Sequence, residues 1–356
     1  MSEIYRFYKG KKVFVTGHTG FKGSWLSYWL LLMGAEVTGY SIGIPSNPSL
    51  FELLGIQKEM HHILGDVRDL SYLQSKIREE KPDICFHLAA QPLVRQSYED
   101  PMETFTTNAF GTLNLLESIR LTECVKTVVM ITSDKCYENK EWDRGYVESD
   151  CLGGYDPYSS SKACAEILIQ AYRRSYFTKE GIGCASARAG NVIGGGDWSQ
   201  DRLIVDCVRS LSSQQELIIR YPKATRPWQH VLEPLWGYLT LGKLLDESPS
   251  QFNEAWNFGP YERQSVTVEE MVQKIIKHWG SGSYRIDAGQ IPHEAGKLQL
   301  DIQKSVSRLN WHPRWEAEKA IEETVNWYKT YYQNPARDVK DLCEKQIKNY
   351  LETKLT

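Results

Sequence analysis

Lys12-Val13-Phe14-Val15-Thr16-Gly17-His18-Thr19-Gly20-Phe21-Lys22-Gly23 decides the fold. Its first five residues are mostly β-branched or aromatic, which marks a short buried strand. Three glycines follow at G-x-x-G-x-x-G spacing. Beyond them, residues 22–33 carry apolar side chains at helical intervals and stop at Gly34, a natural C-cap. Glycine turns are common. Between a first strand and a helix, however, glycines let backbone N–H groups approach a pyrophosphate lying on the helix N-terminus. The stretch therefore reads as the phosphate cradle of a dinucleotide, lined by Gly17, His18, Thr19, Gly20, Phe21, Lys22 and Gly23. His18 stands where a small residue would suit close approach, and it is expected to crowd the cofactor.

Working outward, short apolar runs at residues 35–40, 61–64, 83–88, 126–131 and 182–187 read as further strands. Helical patterns at 70–80, 108–121 and 158–177 lie between them. Strands alternating with helices predict an α/β chain with a Rossmann-type, doubly wound parallel sheet. After about residue 189 the pattern loosens into Gly-, Pro-, Trp- and Asp-rich loops with short elements. We therefore expect a dinucleotide-binding domain over 1–188, including the 158–177 helix. Residues 189–356 form mainly a smaller α/β substrate domain, with some chain returning to the first. Residues 337–355 read as a charged amphipathic helix.

Composition narrows the function. The 356 residues are 41% hydrophobic and 24% charged, so a packed core is expected rather than disorder. A net charge of −3 offers no basic excess for a phosphate backbone, so no nucleic acid partner is expected. The eight cysteines are scattered, without a C-x-x-C pair, and read as reduced thiols of a cytoplasmic protein without a bound metal. The N-terminus does not read as a signal peptide, and the longest apolar run, 25–35, is too short to span a bilayer, so no membrane partner is expected. The 11 tryptophans suit either flat apolar walls or core packing.

Two further groups carry chemistry. Dinucleotide folds often end strand two with an acid that binds the adenine ribose. Here that end reads Tyr40-Ser41, which leaves the choice between NAD and NADP open. Asp66-Val67, after strand three, suits acceptance from an adenine amino group, or a simple turn. Tyr158 and Lys162 lie four apart on one helix face, where a lysine cation favours the phenolate as a base and suits the hydroxyls of a nicotinamide ribose. Ser133 follows strand five, at the sheet end that faces the same cleft.

With these residues on the page, the chain resembles the extended short-chain dehydrogenase/reductases that modify nucleotide sugars. The resemblance runs through Thr16-Gly17 to Gly23, His87-Leu88-Ala89-Ala90, Asn108 to Thr112, Ser133 and Pro157-Tyr158 to Lys162. Farther on, Arg226-Pro227-Trp228-Gln229-His230-Val231 and Trp256-Asn257-Phe258-Gly259 are similar to substrate-domain signatures. Leu309-Asn310-Trp311-His312-Pro313 and Trp327-Tyr328 match the C-terminal pattern. It implies tightly held NAD, with Leu88, Ala89 and Ala90 also beside the cofactor, and a homodimer formed by helices near 102–121 and 158–177. His87, inside a strand, reads as a satisfied core residue.

Sugar 4,6-dehydratases of that family carry an acid and a second acid/base directly after the Ser/Thr position. Here these are Asp134-Lys135. The Asp-Lys pair, with Thr19 to Trp25 and Ile291-Pro292-His293-Glu294-Ala295, resembles the members that act on CDP-glucose. The resemblance implies a catalytic set of Ser133, Asp134, Lys135, Tyr158 and Lys162. Lys135 is the expected C5 base, with a salt bridge to Asp134 as its other reading. Asn191, Arg202 and Arg226 are expected at the sugar-nucleotide pyrophosphate, and Arg95 and Ser97 at the hexose. A C4 epimerase and a non-catalytic dinucleotide sensor on the same fold are the alternatives.

Overall fold

The structure, a computed structural model, describes residues 3–219, 221–261, 266–287, 297–334 and 338–354. Strands β1 (Lys12–Thr16), β2 (Glu36–Ser41), β3 (His61–Leu64), β4 (Ile84–His87), β5 (Thr127–Ile131) and β6 (Gly183–Ala189) follow the expected alternation. Later come β7 (Val192–Ile193), β8 (Leu217–Ile219), β9 (Thr225–Arg226), β10 (Gln229–His230), β11 (Ala255–Phe258), β12 (Val266–Thr267) and β13 (Tyr284–Ile286). Seven of these form one parallel sheet in the order β11-β6-β5-β4-β1-β2-β3.

The strands are apolar on both faces because both faces are covered. Val13 and Val15 of β1, Phe86 of β4, Val129 of β5 and Ala185 of β6 enter one core. Phe14, Cys85, Val128 and Cys184 enter the other. The first core is closed by Phe21–Leu32, through Trp25, Leu26 and Trp29, and by Leu232–Glu247. The second is closed by Leu70–Glu80, Gly111–Thr122 and Pro157–Tyr172. Trp25, Trp29, Trp256, Trp311 and Trp327 are among the largest fully buried side chains, so much of the tryptophan is core filling.

Three details differ from or add to the sequence reading. The helix expected at 108–121 is the regular segment Gly111–Thr122, entered from Pro101–Phe105 through a π-type turn, Thr106–Phe110. The helix expected at 158–177 starts at Pro157, capped by Asp156 accepting from the Ser159 N–H, and passes into a second π-type turn, Arg173–Phe177. Such turns are single wide turns inside an otherwise continuous helix, so a run of helical spacing does not mark where they fall. The third is which late chain returns to the first domain, a point the sequence reading left open: Trp256-Asn257-Phe258, read as part of a substrate-domain signature. It forms β11 and pairs with β6, so the central sheet takes its outer strand from late in the chain. The late segment otherwise holds the small sheets β7/β10, β9/β12 and β8/β13. Its last described helix is Val339–Glu352; residues 337 and 355, the ends of the segment expected there, lie outside the described residues.

Two glycines bring the first helix onto its strand. At Gly17, with φ of +73°, an added Cβ would stand 2.6 Å from the Ala89 nitrogen. At Gly23 it would stand 2.1 Å from the Gly17 carbonyl oxygen. Both neighbours are backbone and cannot rotate away. Gly23→Ala is therefore expected to lower unfolding free energy by about 1–3 kcal/mol, the usual range for overpacking, read as a lower denaturant midpoint with unchanged m-value.

Candidate active site

The glycine loop is tight at 17 and 23 and open between them. A Cβ on Gly20 would meet only the Gly17 oxygen, at 3.4 Å. Gly20 is also the N-cap of Phe21–Leu32, whose first turn carries no acid. Open backbone at a helix N-terminus suits a pyrophosphate, so the residues present fit a dinucleotide. The side chain of Thr19 turns away to donate to the Gly43 carbonyl and lies 3.0 Å from Ser41 Oγ, and Phe21 reaches toward Gly194, after β7.

The expectation that His18 crowds the cradle is corrected. Its ring is fully buried, packed edge-on against Phe51 with Nε2 2.6 Å from His62 Nδ1. It lies beneath Gly39, where any Cβ would come within 2.3 Å of it. Burial, then His62, pushes its pKa down to about 3, so the ring is neutral.

At the end of β2, Tyr40 turns inward and donates to the Asp66 carbonyl. Burial opposes ionisation of Asp66, but hydrogen bonds from Arg68 hold its carboxyl below the usual range. Val67 is a core residue packed under Gly111, and its carbonyl accepts from Asn114. Leu88, Ala89 and Ala90 follow β4. The Leu88 and Ala89 N–H groups both donate to Thr16 Oγ1. His87 is enclosed, with Nδ1 2.7 Å from Thr16 Oγ1 and Nε2 3.3 Å from Thr112 Oγ1, and burial pushes its pKa down to about 3.

The turn expected to be catalytic leaves β5 at Thr132. Ser133 caps the short turn Asp134–Cys136: its hydroxyl accepts from the Lys135 N–H and donates to Asp134 Oδ1 at 3.0 Å. Asp134 is buried, and that burial pushes its carboxyl pKa up against the pull of Lys135, Ser133 and Arg226. It is thereby biased toward the protonated acid. Tyr158 and Lys162 lie inside the same cleft. Burial pushes Lys162 down to about 8, with Glu166 opposing. Burial pushes Tyr158 up to about 12, opposed first by the Ser133 hydroxyl and then by Arg202. Sequence spacing assigned such electrostatic help to Lys162; Arg202 is a further cation that favours the phenolate.

Lys22 joins this cluster. Its Nζ lies 3.3 Å from Tyr238 Oη, and desolvation, then Arg202 and Lys162, push it down to about 7. Arg226 leaves β9 close enough to act on Asp134, and a Cβ on Gly190, just before Asn191, would lie 3.0 Å from Asp134 Oδ2. Ser97 is not brought in. It is fully buried and donates to the Val94 carbonyl within its own helical turn, which corrects the expected hexose contact. Arg95 is paired at the surface with Asp201. The 291–295 motif lies outside the described residues.

A dinucleotide cradle beside a buried Ser-Tyr-Lys set defines a short-chain dehydrogenase/reductase site. The chain belongs to the extended short-chain dehydrogenase/reductase family, and the family model described as GDP-mannose 4,6 dehydratase matches residues 14–324. It is 49% identical, over 97% of each chain, to the CDP-glucose 4,6-dehydratase of Salmonella typhimurium. Among solved structures, the dTDP-glucose 4,6-dehydratase of Streptomyces venezuelae with NAD bound superposes with a TM-score of 0.77 at 24% identity, covering 89% of this chain and 97% of that one. The UDP-glucose 4-epimerase of Thermotoga maritima with UDP-glucose gives 0.78 at 20% identity, covering 92% and 100%.

Arg202→Gln removes a cation that favours the Tyr158 phenolate, so the Tyr158 pKa rises further from about 12. The base form is then scarcer at any given pH. The rising limb of the pH–rate profile is expected to move to higher pH, with rate at neutral pH falling about tenfold per unit of displacement.

Proposed function

We propose that this chain is a hydro-lyase, a sugar-nucleotide 4,6-dehydratase that converts CDP-D-glucose to CDP-4-dehydro-6-deoxy-D-glucose. The observation that carries this reading is the buried Asp134, hydrogen-bonded to Ser133 and followed by Lys135 in the turn after β5. C4 oxidation alone needs neither residue; elimination of water needs an acid and a base there. The near-full-length similarity to the Salmonella enzyme supports the choice of substrate.

Bound NAD supplies the acceptor for the C4 hydrogen and its return to C6, with no net oxidation. Tyr158 takes the C4 hydroxyl proton. Lys162 holds the nicotinamide ribose hydroxyls. Once C4 is a ketone the C5 proton is acidic, and Lys135 removes it. Asp134 delivers a proton to the C6 hydroxyl as it leaves as water, and Lys135 gives its proton back to C5 as hydride reaches C6. Asn191, Arg202 and Arg226 meet the sugar-nucleotide pyrophosphate, where guanidinium suits bidentate contact. Residues 1–188 thus hold the dinucleotide and 189–356 mainly the sugar nucleotide. Among the described residues no helix is long and apolar enough to cross a membrane. We assign the reaction to the cytoplasm and its product to deoxysugar biosynthesis of the lipopolysaccharide O-antigen type.

A second copy of the chain is the partner we assign to the exposed side chains of Met102, Phe110 and Ile167, which lie on Pro101–Phe105, Thr106–Phe110 and Pro157–Tyr172. Light scattering is expected to give a dimer for the wild type and a monomer for Met102→Glu/Phe110→Glu.

Mass spectrometry of the product from CDP-glucose tests the reaction. Loss of one water is expected; an isomer of unchanged mass would indicate an epimerase, and no reaction a sensor. Lys135→Met is expected to stop both water loss and exchange of the C5 hydrogen with deuterated solvent. Asp134→Asn is expected to stop water loss while part of the exchange persists. Normal C5 exchange in Lys135→Met would assign the base elsewhere.

A further inference from the structure

We propose that the buried Glu166–Arg188 pair is a positioning device that clamps the turn carrying Ser133, Asp134 and Lys135 to the helix carrying Tyr158 and Lys162. The clamp deepens the dehydratase reading and rests on it for the role of that turn.

Tyr158, Lys162 and Glu166 follow one another at one-turn intervals on Pro157–Tyr172. The Glu166 carboxylate accepts from the Thr132 hydroxyl, immediately before Ser133, from Ser186 Oγ at 2.8 Å and from Arg188 Nη2 at 2.7 Å. Arg188 extends the tie to the far end of the turn. Its Nη1 donates to Tyr137 Oη at 2.7 Å, directly after Cys136, and to the Glu148 carbonyl at 3.1 Å. Its guanidinium also lies over the Tyr137 ring. Tyr137 in turn donates to Asn257 Oδ1 in β11. One ion pair therefore holds both ends of the turn, the catalytic helix, β6 and, through Tyr137, the edge strand.

The side chains of Arg188 and Glu166 are only 4% and 3% exposed. A buried pair of this kind gains little net stability, because desolvation offsets the attraction. What it does supply is fixed geometry, and a displacement of about 1 Å in such a turn costs about 10²-fold in rate.

The pair also sets the charge around Lys162. The groups facing that ammonium are Lys22 from Phe21–Leu32, His87 from β4, Cys136 from the turn and Glu166 from its own helix. Lys22 opposes the charge, the neutral His87 adds nothing to it, and Glu166 is the carboxylate that favours it. Lys162 is protonated below its pKa of about 8 and loses its charge above it. Without the Glu166 carboxylate, burial is less opposed and the charge is lost at lower pH.

The test is Glu166→Gln, which keeps the shape and removes the charge. NADH titrated into the protein across pH, read by nicotinamide fluorescence, reports the Lys162–ribose contact without any sugar nucleotide. Loss of NADH affinity on the alkaline side is expected to move to lower pH. With CDP-glucose, kcat is expected to fall about 10²-fold with KM little changed. An unchanged alkaline limit and unchanged kcat, with only a lower melting temperature, would overturn the proposal. If Glu166→Gln does not fold, Glu166→Gln/Arg188→Gln leaves no unpaired buried ion. The same shift in the NADH limit is expected there, and its absence overturns the proposal equally. A wild-type protein that shows the NADH limit but forms no dehydrated product would sink the dehydratase reading and leave the clamp standing.

Discussion

Thr16 holds the point on which the site depends. It ends β1 beside β4, and from these two neighbours the sheet extends in opposite directions, through β2 and β3 on one side and β5, β6 and β11 on the other. A crevice opens where strand order diverges in this way, at the carboxyl ends of the strands. Thr16 Oγ1 accepts from two backbone N–H groups at the start of the chain leaving β4 and contacts His87 Nδ1. With His87 neutral, Nδ1 accepting and Nε2 carrying the hydrogen, Thr16, His87 and Thr112 are all satisfied. The crevice wall is thus made of paired polar groups, and the glycine loop rests against it at Ala89.

The cleft built on that wall is rich in positive charge. Lys22, Lys162 and Arg202 converge from three separate elements, with Arg226 near Asp134. Crowding cations in a desolvated space is unfavourable, and it adds to the burial that lowers the Lys22 pKa. The arrangement suits anionic ligands, because phosphates and a phenolate relieve repulsion that the protein otherwise carries alone.

The fold was legible because the central strands β1, β4 and β5 are buried on both faces, which leaves nearly continuous apolar runs separated by turn residues. β11 was not, since four residues acquire their meaning only from β6, far earlier in the chain. In the site, spacing of four along a helix exposed Tyr158 and Lys162, and the same rule carried one turn further reaches Glu166. Arg188 and Arg202 gave no such local signal; their partners lie on other elements. Ser97 misled because a serine in a helix can spend its hydroxyl on a carbonyl three residues back, which no motif records. His18 misled because the space that receives it is made by a missing side chain at Gly39, on another strand.

The late position of β11 has a consequence for biosynthesis. Until Phe258 has left the ribosome, β6 lacks its outer neighbour and presents an open row of backbone donors and acceptors. The helix Leu232–Glu247, which covers the face beneath β5 and β6, also emerges late. A nascent chain ending near residue 188 therefore has an uncapped, half-naked sheet, with the sticky edge that draws other unfinished chains. The dinucleotide half reaches its final form only after most of the substrate half has been made, so the two mature together rather than in sequence.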